Sequence, residues 1–356
     1  MASSISVASS PGSTAVDLRS DTVTRPTEAM YERMRTAPLG DDGLEGDPTV
    51  RELEATTAAM LGKDAGLFVP TCTMANLLAI LAQVQRSEQI LLEAQAHMVT
   101  TERGAATFTG AFLLGITGCG GAMDLNRLED ALRPSASPLR TAMIALETSH
   151  NAAGGAVPPV SHMAAVAEMA RSRGILVHLD GARLFNAATY LGLAPAELAV
   201  HAGTVSLCLS KGLSAPVGAV LTGPDAVIAD ARRIRKMIGG TQRQLGIMAA
   251  AGLEAVTVMG ARLADDHASA RQLSDGLNAL HPSISASVPQ TNIVQVDLSR
   301  TGRGSELWVT DLEAAGVRVR PLGETHLRLV THRHIGPADI DQAVAIFGSR
   351  LNIAKI

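Results

Sequence analysis

The sequence predicts an α/β fold: a mostly parallel sheet sandwiched by helices, with a smaller α+β C-terminal domain. Three observations carry that reading. Short apolar runs alternate with helical patterns from about Gly66 to Gly223, two of those runs end in an Asp and a Lys, and the patterning changes after Thr241.

The expected strands are Gly66–Val69, Gln89–Leu92, Phe112–Thr117, Thr141–Glu147, Ile175–Asp180, Thr204–Leu209 and Gly218–Thr222. Strands of this length with helical stretches between them indicate a sheet covered on both faces. Pro70-Thr71-Cys72-Thr73-Met74-Ala75-Asn76 follows the first strand and opens a helix carrying Leu77, Leu78, Ile80 and Leu81. Hydroxyls and free backbone N–H groups at such a start make a phosphate site; a plain Thr71 cap is the alternative. Ligands in such sheets bind beyond the carboxyl ends of the strands. Glu147, Asp180 and Ser210-Lys211 all lie there. From Gln242 a helical stretch runs to about Leu280, interrupted at Gly252 and Gly260. Asn292–Asp297, Gly316–Arg320 and Leu327–Val330 then read as strands, with helices at Ser305–Ala315 and Pro337–Leu351. The expected boundaries are a disordered tail over 1–16, an N-terminal segment near the active site over 17–45, a large α/β domain over 46–252 and the small domain over 253–356.

Composition narrows the class. At 46% hydrophobic and 18% charged residues the chain is globular, and with only 2% aromatics its core must be aliphatic. A net charge of −4 gives no electrostatic case for nucleic acid or an anionic membrane. No apolar run approaches the ~20 residues of a membrane span. Met1 to Ala15 has neither a basic n-region nor a continuous apolar stretch, so it reads as a tail and not as a signal peptide. Cys72, Cys119 and Cys208 lack CxxC spacing, which argues for reduced thiols in a cytoplasmic protein over disulfides or a metal site.

Lys211 is one of four lysines and follows the apolar run Val205-Ser206-Leu207-Cys208-Leu209. An amine at the end of a buried strand is poorly solvated, which favours the free base that forms a Schiff base with an aldehyde. Upstream, Ile175-Leu176-Val177-His178-Leu179 ends in Asp180-Gly181-Ala182-Arg183. A carboxylate for a pyridine nitrogen and an amine for an aldehyde are the pair that pyridoxal phosphate requires. Each residue alone also reads as structural: an Asp capping the next helix, or a Lys at a strand end.

The segments DLRSDTVTRP (17–26), GDPTVRELE (46–54), AQAHM (94–98), ETSHN (147–151), HLDGARLFNAA (178–188), CLSKGLSAPVG (208–218), RKMIGG (235–240), QRQLGIMAAAG (242–252) and LRLVTH (327–332) carry a specific resemblance. The chain resembles the L-threonine aldolases of low-specificity and allo-threonine type, pyridoxal phosphate enzymes of the aspartate-aminotransferase fold type (fold type I). The resemblance spans nearly the whole chain, in the family's order. It implies retro-aldol cleavage of an L-β-hydroxy-α-amino acid to glycine and an aldehyde. It also implies a homo-oligomer, a dimer with shared sites that pairs into a homotetramer.

By the same resemblance Lys211 carries the cofactor, Asp180 pairs with the ring nitrogen, and His97 stacks on the ring or is a plain helix-start histidine. Thr71, Cys72 and Thr73 bind the phosphate. Lys236 and Arg243 add contacts to it, from a neighbouring subunit, or belong with Arg232, Arg233 and Arg235 to a solvated basic face. Ser20, Arg183 and Arg328 hold the substrate carboxylate; an ion pair with Asp180 is the structural alternative for Arg183. His97 or His150 takes the β-hydroxyl proton. Glu147 orients His150 or caps its strand, and His178 packs inside its strand. The chain departs from the family's pattern in three places: Cys72 replaces a glycine of the phosphate loop, Leu44 replaces a tyrosine and makes the substrate pocket more apolar, and Glu102-Arg103-Gly104-Ala105 replaces Glu-Ala-Gly-Gly. The competing readings are another fold-type-I reaction on a small amino acid (β-elimination, racemisation or hydroxymethyl transfer) and a non-catalytic cofactor-binding protein.

Overall fold

The structure, a computed structural model, describes residues 15–102, 104–133 and 139–351, the side chains of 105 and 106 excepted. The tail expected over 1–16 falls outside these residues up to residue 14, and so does Arg103. Val16, placed in that tail, instead pairs with Val317 in a short parallel bridge of strands and is buried.

Seven strands form the main sheet: β1 (Ala65–Val69), β2 (Gln89–Glu93), β3 (Phe112–Ile116), β4 (Thr141–Glu147), β5 (Leu176–Gly181), β6 (Thr204–Cys208) and β7 (Ala219–Gly223). Each lies within one residue of its expected ends. Their order is β1-β7-β6-β5-β4-β2-β3. Four pairings are parallel, and β7 runs antiparallel to both neighbours. The short link from β6 to β7 holds no crossover helix, so the chain can only turn back. Strands β2, β6 and β7 are buried at every residue, as expected where helices cover both faces.

Local chemistry fixes the covering helices. Asp47 caps helix Pro48–Met60 by accepting from the Thr49 and Val50 N–H groups, and Pro48 begins the helix where no backbone donor is needed. The other Asp47 oxygen accepts from Gly246 at 2.9 Å, tying this cap to the start of helix Gly246–Thr257. Gly252 does not interrupt that helix. It faces Leu53, where a Cβ would lie 2.7 Å from the leucine Cδ2, so glycine serves close helix packing there. The break falls at Val258, ahead of a 3-10 turn over Met259–Arg262 that leads into Leu263–Leu280.

The small sheet contains Ser285–Ala286, Ile293–Asp297, His326–Val330 and Arg320–Leu322, in that order. The single strand expected at Gly316–Arg320 is split, because Val317–Arg318 pairs with the N-terminal strand instead. Trp308 and Phe347 stack at 5.8 Å in this layer's core. Among the described residues no single helix is long and apolar enough to cross a membrane.

Candidate active site

The carboxyl ends of β2, β4, β5 and β6 converge on one polar cluster. Glu93 and Glu147 end their strands, Asp180 is one residue from the end of β5, and Lys211 follows β6. Glu147 stands opposite Asp180 in register, and Asp180 opposite Ser206. The charge of Lys211 acts on Asp180, Asp21 and His97. Its carbonyl accepts from the Thr24 hydroxyl at 2.9 Å, but among the described residues its Nζ makes neither a hydrogen bond nor an ion pair.

Asp180 is 2% exposed. Its Oδ1 accepts from the Ala182 N–H at 3.0 Å and its Oδ2 from Asn76 Nδ2 at 2.9 Å. Burial, then the nearby Glu147 and Glu102, push its carboxyl up to about 7. A cation against this carboxylate would reverse that shift. The environment therefore fits a protonated pyridine nitrogen.

His97 opens the short helix His97–Thr100. Its N–H donates to Glu147 Oε2 at 2.6 Å, and its Nδ1 lies 2.8 Å from Glu102 Oε1. The bond to Glu102 raises the imidazole pKa above its usual 6.5 against the opposing effect of burial. Its Nε2 has no partner among the described residues. His150 differs: it is 1% exposed, with Nε2 3.1 Å from Glu93 Oε2 and 3.8 Å from Glu147 Oε2. Gly121, at φ +81°, lies over it so closely that a Cβ would come within 2.4 Å of the His150 Cβ. Glu147 itself accepts from the N–H groups of His97 and Asn151, so it organises both loops.

At the start of helix Cys72–Leu81 the Thr71 hydroxyl accepts from the Met74 N–H at 3.1 Å, which is the capping role. Thr73 donates its hydroxyl to Glu102 Oε1 at 3.1 Å. Thr73 has thus spent its hydroxyl proton, but the Thr71 hydroxyl, which only accepts, keeps its own; with the Cys72 and Thr73 N–H groups, which have no acceptor among the described residues, it suits a phosphate. The neighbouring Cys208 together with burial pushes the Cys72 thiol up, while Cys72 and then Lys211 bring Cys208 down against the effect of burial; the Cys208 Sγ lies 3.6 Å from the Ser210 Oγ.

Arg183 does not pair with Asp180. Its Nε and Nη2 each donate at 2.8 Å to the two oxygens of Asp21, which the turn Asp21–Val23 aims at the fork. Burial opposes the charge on Asp21, but the guanidinium outweighs it and holds the carboxyl well below the usual range. Ser20 is buried beside this pair, its Oγ accepting from the Thr22 N–H and hydroxyl at 3.2 and 2.9 Å. Arg328 stands apart. It donates Nη1 to Asn151 Oδ1 at 3.0 Å and Nη2 to the Arg19 carbonyl at 3.3 Å, yet its buried Nε has no acceptor. Among the described residues it has no carboxylate, and burial followed by Arg183 and Arg320 lowers its pKa to about 10. Such a cation is suited to an incoming carboxylate.

Leu44, Lys236 and Arg243 lie outside this cluster. Leu44 is 78% exposed, Lys236 is exposed, and among the described residues the Arg243 guanidinium bonds only to Asp41, at 3.4 Å. The basic helix face expected nearby is not uniformly solvated: Arg235 is buried against Asp42 and the Phe68 carbonyl, each at 2.6 Å, and Arg232 binds Glu54 at 2.6 Å. Sequence reasoning gave no role to Asp21, Asn76, Glu93 or Glu102. Asp21 and Asn76 stood inside segments singled out for other residues, but nothing local marked their partners.

This sheet, with its polar cluster at the carboxyl edge, defines the aspartate-aminotransferase class of α/β folds. Thermus thermophilus aspartate aminotransferase in complex with maleate superposes with a TM-score of 0.72 at 17% identity, over 96% of this chain and 97% of that one. The threonine aldolase of Leishmania major superposes with a TM-score of 0.81, also at 17% identity, over 94% and 99%. At such identity the likeness is one of fold. The chain belongs to the beta-eliminating lyase family, whose pattern matches residues 17–301. It is 38% identical over 340 residues to low-specificity L-threonine aldolase 1 of Arabidopsis thaliana, 93% of this chain and 95% of that one.

Proposed function

We propose that the chain is an aldehyde-lyase that cleaves an L-β-hydroxy-α-amino acid, threonine, allo-threonine or a bulkier analogue, to glycine and an aldehyde with pyridoxal 5'-phosphate as cofactor. Bound at Lys211, the cofactor supplies an electron sink for the pair released when the Cα–Cβ bond breaks. Asp180 holds the proton on the ring nitrogen. The Cys72 and Thr73 N–H groups bind phosphate at the helix start.

Arg328, with Arg183 and Ser20 behind it, takes the substrate carboxylate and so fixes rotation about Cα. His97 would stand against the bound cofactor and takes the β-hydroxyl proton at its free Nε2, while Glu102 holds Nδ1. His150 is a positioning residue in this scheme, because it is enclosed between Glu93 and Gly121. Lys236, Arg243 and Leu44 act across a subunit boundary in a homodimer with shared sites, paired into a homotetramer. Their exposure in one chain supports that assignment. The proposal places the enzyme in the cytoplasm, where the free thiols of Cys72, Cys119 and Cys208 stay reduced.

The observation that carries the reading is the unpartnered amine of Lys211 within electrostatic reach of Asp180 and His97, in a member of this family. The test is incubation with a panel of β-hydroxy-α-amino acids, identifying both products. Equimolar glycine and aldehyde are expected. If no member of the panel yields glycine, the reading fails.

A further inference from the structure

Asn76 is a fully buried amide that the chemistry above does not use. Its Nδ2 donates to two carboxylates at once, Asp180 Oδ2 at 2.9 Å and Glu102 Oε2 at 3.1 Å. Both amide protons are therefore spent, and the orientation is fixed, since the reverse would set the amide oxygen against two carboxylates. The amide oxygen in turn lies 3.0 Å from His178 Nε2, and His178 Nδ1 lies 2.9 Å from the Thr204 hydroxyl, which accepts from Gln83 Nε2 at 3.3 Å. Burial lowers the His178 pKa to about 4, so the ring is neutral and carries a single proton. That proton must sit on Nε2 to satisfy the Asn76 oxygen. Every donor from Gln83 through Thr204, His178 and Asn76 then points toward the two carboxylates.

Asp180 and Glu102 belong to the two sides of the proposed chemistry. Asp180 faces the ring-nitrogen side, and Glu102 holds His97. Two carboxylates this close, with an oxygen of each and a ring nitrogen of His97 all within 4.8 Å of one another, compete for protons unless donors stabilise both charges. Glu147, Glu102, Lys211 and His97 are the charged groups that act on Asp180. Asn76 is the neutral donor bridging the acid pair.

We infer that Asn76 is the positioning residue that keeps Asp180 and Glu102 ionised together, and that His178 sets the orientation of its amide. The inference rests on the function proposed above. Loss of a charge-assisted hydrogen bond of this kind is expected to lower kcat about 10- to 100-fold with KM changed little, because substrate is not touched.

The experiment is nitrogen NMR of holoenzyme reconstituted with pyridine-15N cofactor, together with 15N-histidine spectra, for wild type, Asn76→Leu, His178→Leu and His178→Gln. Wild type should show a protonated ring nitrogen and a His178 Nε2–H tautomer that persists across neutral pH. In Asn76→Leu the ring-nitrogen proton should be lost at lower pH than in wild type. His178→Leu should move it in the same direction by less, and His178→Gln, which can still donate to the amide, should restore much of the wild-type behaviour. If Asn76→Leu does not fold, the two His178 variants decide. A ring-nitrogen titration unchanged in Asn76→Leu, or in His178→Leu if only that variant folds, overturns the inference. An unprotonated ring nitrogen in wild type instead overturns the assignment of Asp180, which separates the two failures.

Discussion

Asp180 and Arg243 mark the extremes of the candidate site: the first is 2% exposed and bonded on both oxygens, while the second leaves 69% of its side chain in solvent and reaches one carboxylate at 3.4 Å. The difference is one of preorganisation. The strand-end cluster is held by hydrogen bonds within a single chain, so its dipoles need no rearrangement when charge develops. The surface group of Leu44, Lys236 and Arg243 retains rotamer freedom, which costs up to about 2 kcal/mol for each long side chain to fix. A second chain covering this face would supply that fixation. One half of the site is thus complete in a single chain, and the function proposed above assigns completion of the other to assembly.

The largest effect should come from breaking the buried half. Asp21→Ala leaves Arg183 charged and unpaired, and removing one partner of a buried ion pair costs about 3–5 kcal/mol. Denaturant unfolding should show that loss; a change below about 1 kcal/mol would mean that the pair is not part of the rigid half. The sign with pH follows from Asp21's lowered pKa: its stabilisation is present above the ordinary carboxylate value near 3.8 and is lost as pH falls below it.

Asp180→Asn should fold, keep cofactor and lose about 2.7–4 kcal/mol of transition-state stabilisation, roughly 100- to 1000-fold in kcat. Activity within about tenfold of wild type would make Asp180 structural. Glu102→Gln sharpens the same half. His97 must be neutral to act as a base, and the Glu102 bond raises its pKa above 6.5. The acidic limb of the kcat/KM profile should therefore lie above pH 6.5 in wild type and move to lower pH in Glu102→Gln. A limb that stays in place assigns the base to another group.

On the exposed half, mixing Lys211→Ala chains with Arg243→Ala chains should restore part of the activity that each lacks alone, because one site in the heterodimer is intact. No restoration, or a fully active monomer in ultracentrifugation, contradicts a shared site. Leu44→Tyr should act least. An apolar pocket gains roughly 0.8 kcal/mol per buried methylene, so the preference for phenyl- or alkyl-substituted substrates over threonine should fall about fourfold for each substrate methylene that the pocket no longer buries. An unchanged ratio places Leu44 away from the substrate.

The main sheet was legible because a buried strand between helices leaves a local apolar signature, and Asp180 and Lys211 were legible because they interrupt it at strand ends. Residues that act through distant partners were not. Asp21 lies 162 positions from Arg183, and Asn76 lies 104 from Asp180. Proximity in sequence suggested Asp180 for Arg183, but side chains starting three residues apart around a sharp turn diverge, and the N-terminal segment brought a better-aligned carboxylate. Of the two glycines expected to interrupt the long helical stretch, Gly260 does lie in the break, but Gly252 misled: it reads locally as a helix break, whereas the space left for Leu53 is a tertiary fact. Arg235 reads as surface charge until Asp42 and the Phe68 carbonyl enclose it.

The central claim is that the buried half assembles around Lys211 within one chain, and borohydride reduction of the holoenzyme followed by peptide mapping tests it most directly. The account predicts cofactor fixed to the single peptide containing Lys211, in wild type and in Arg243→Ala alike. Recovery of the label on Lys63, Lys236 or Lys355 would contradict it.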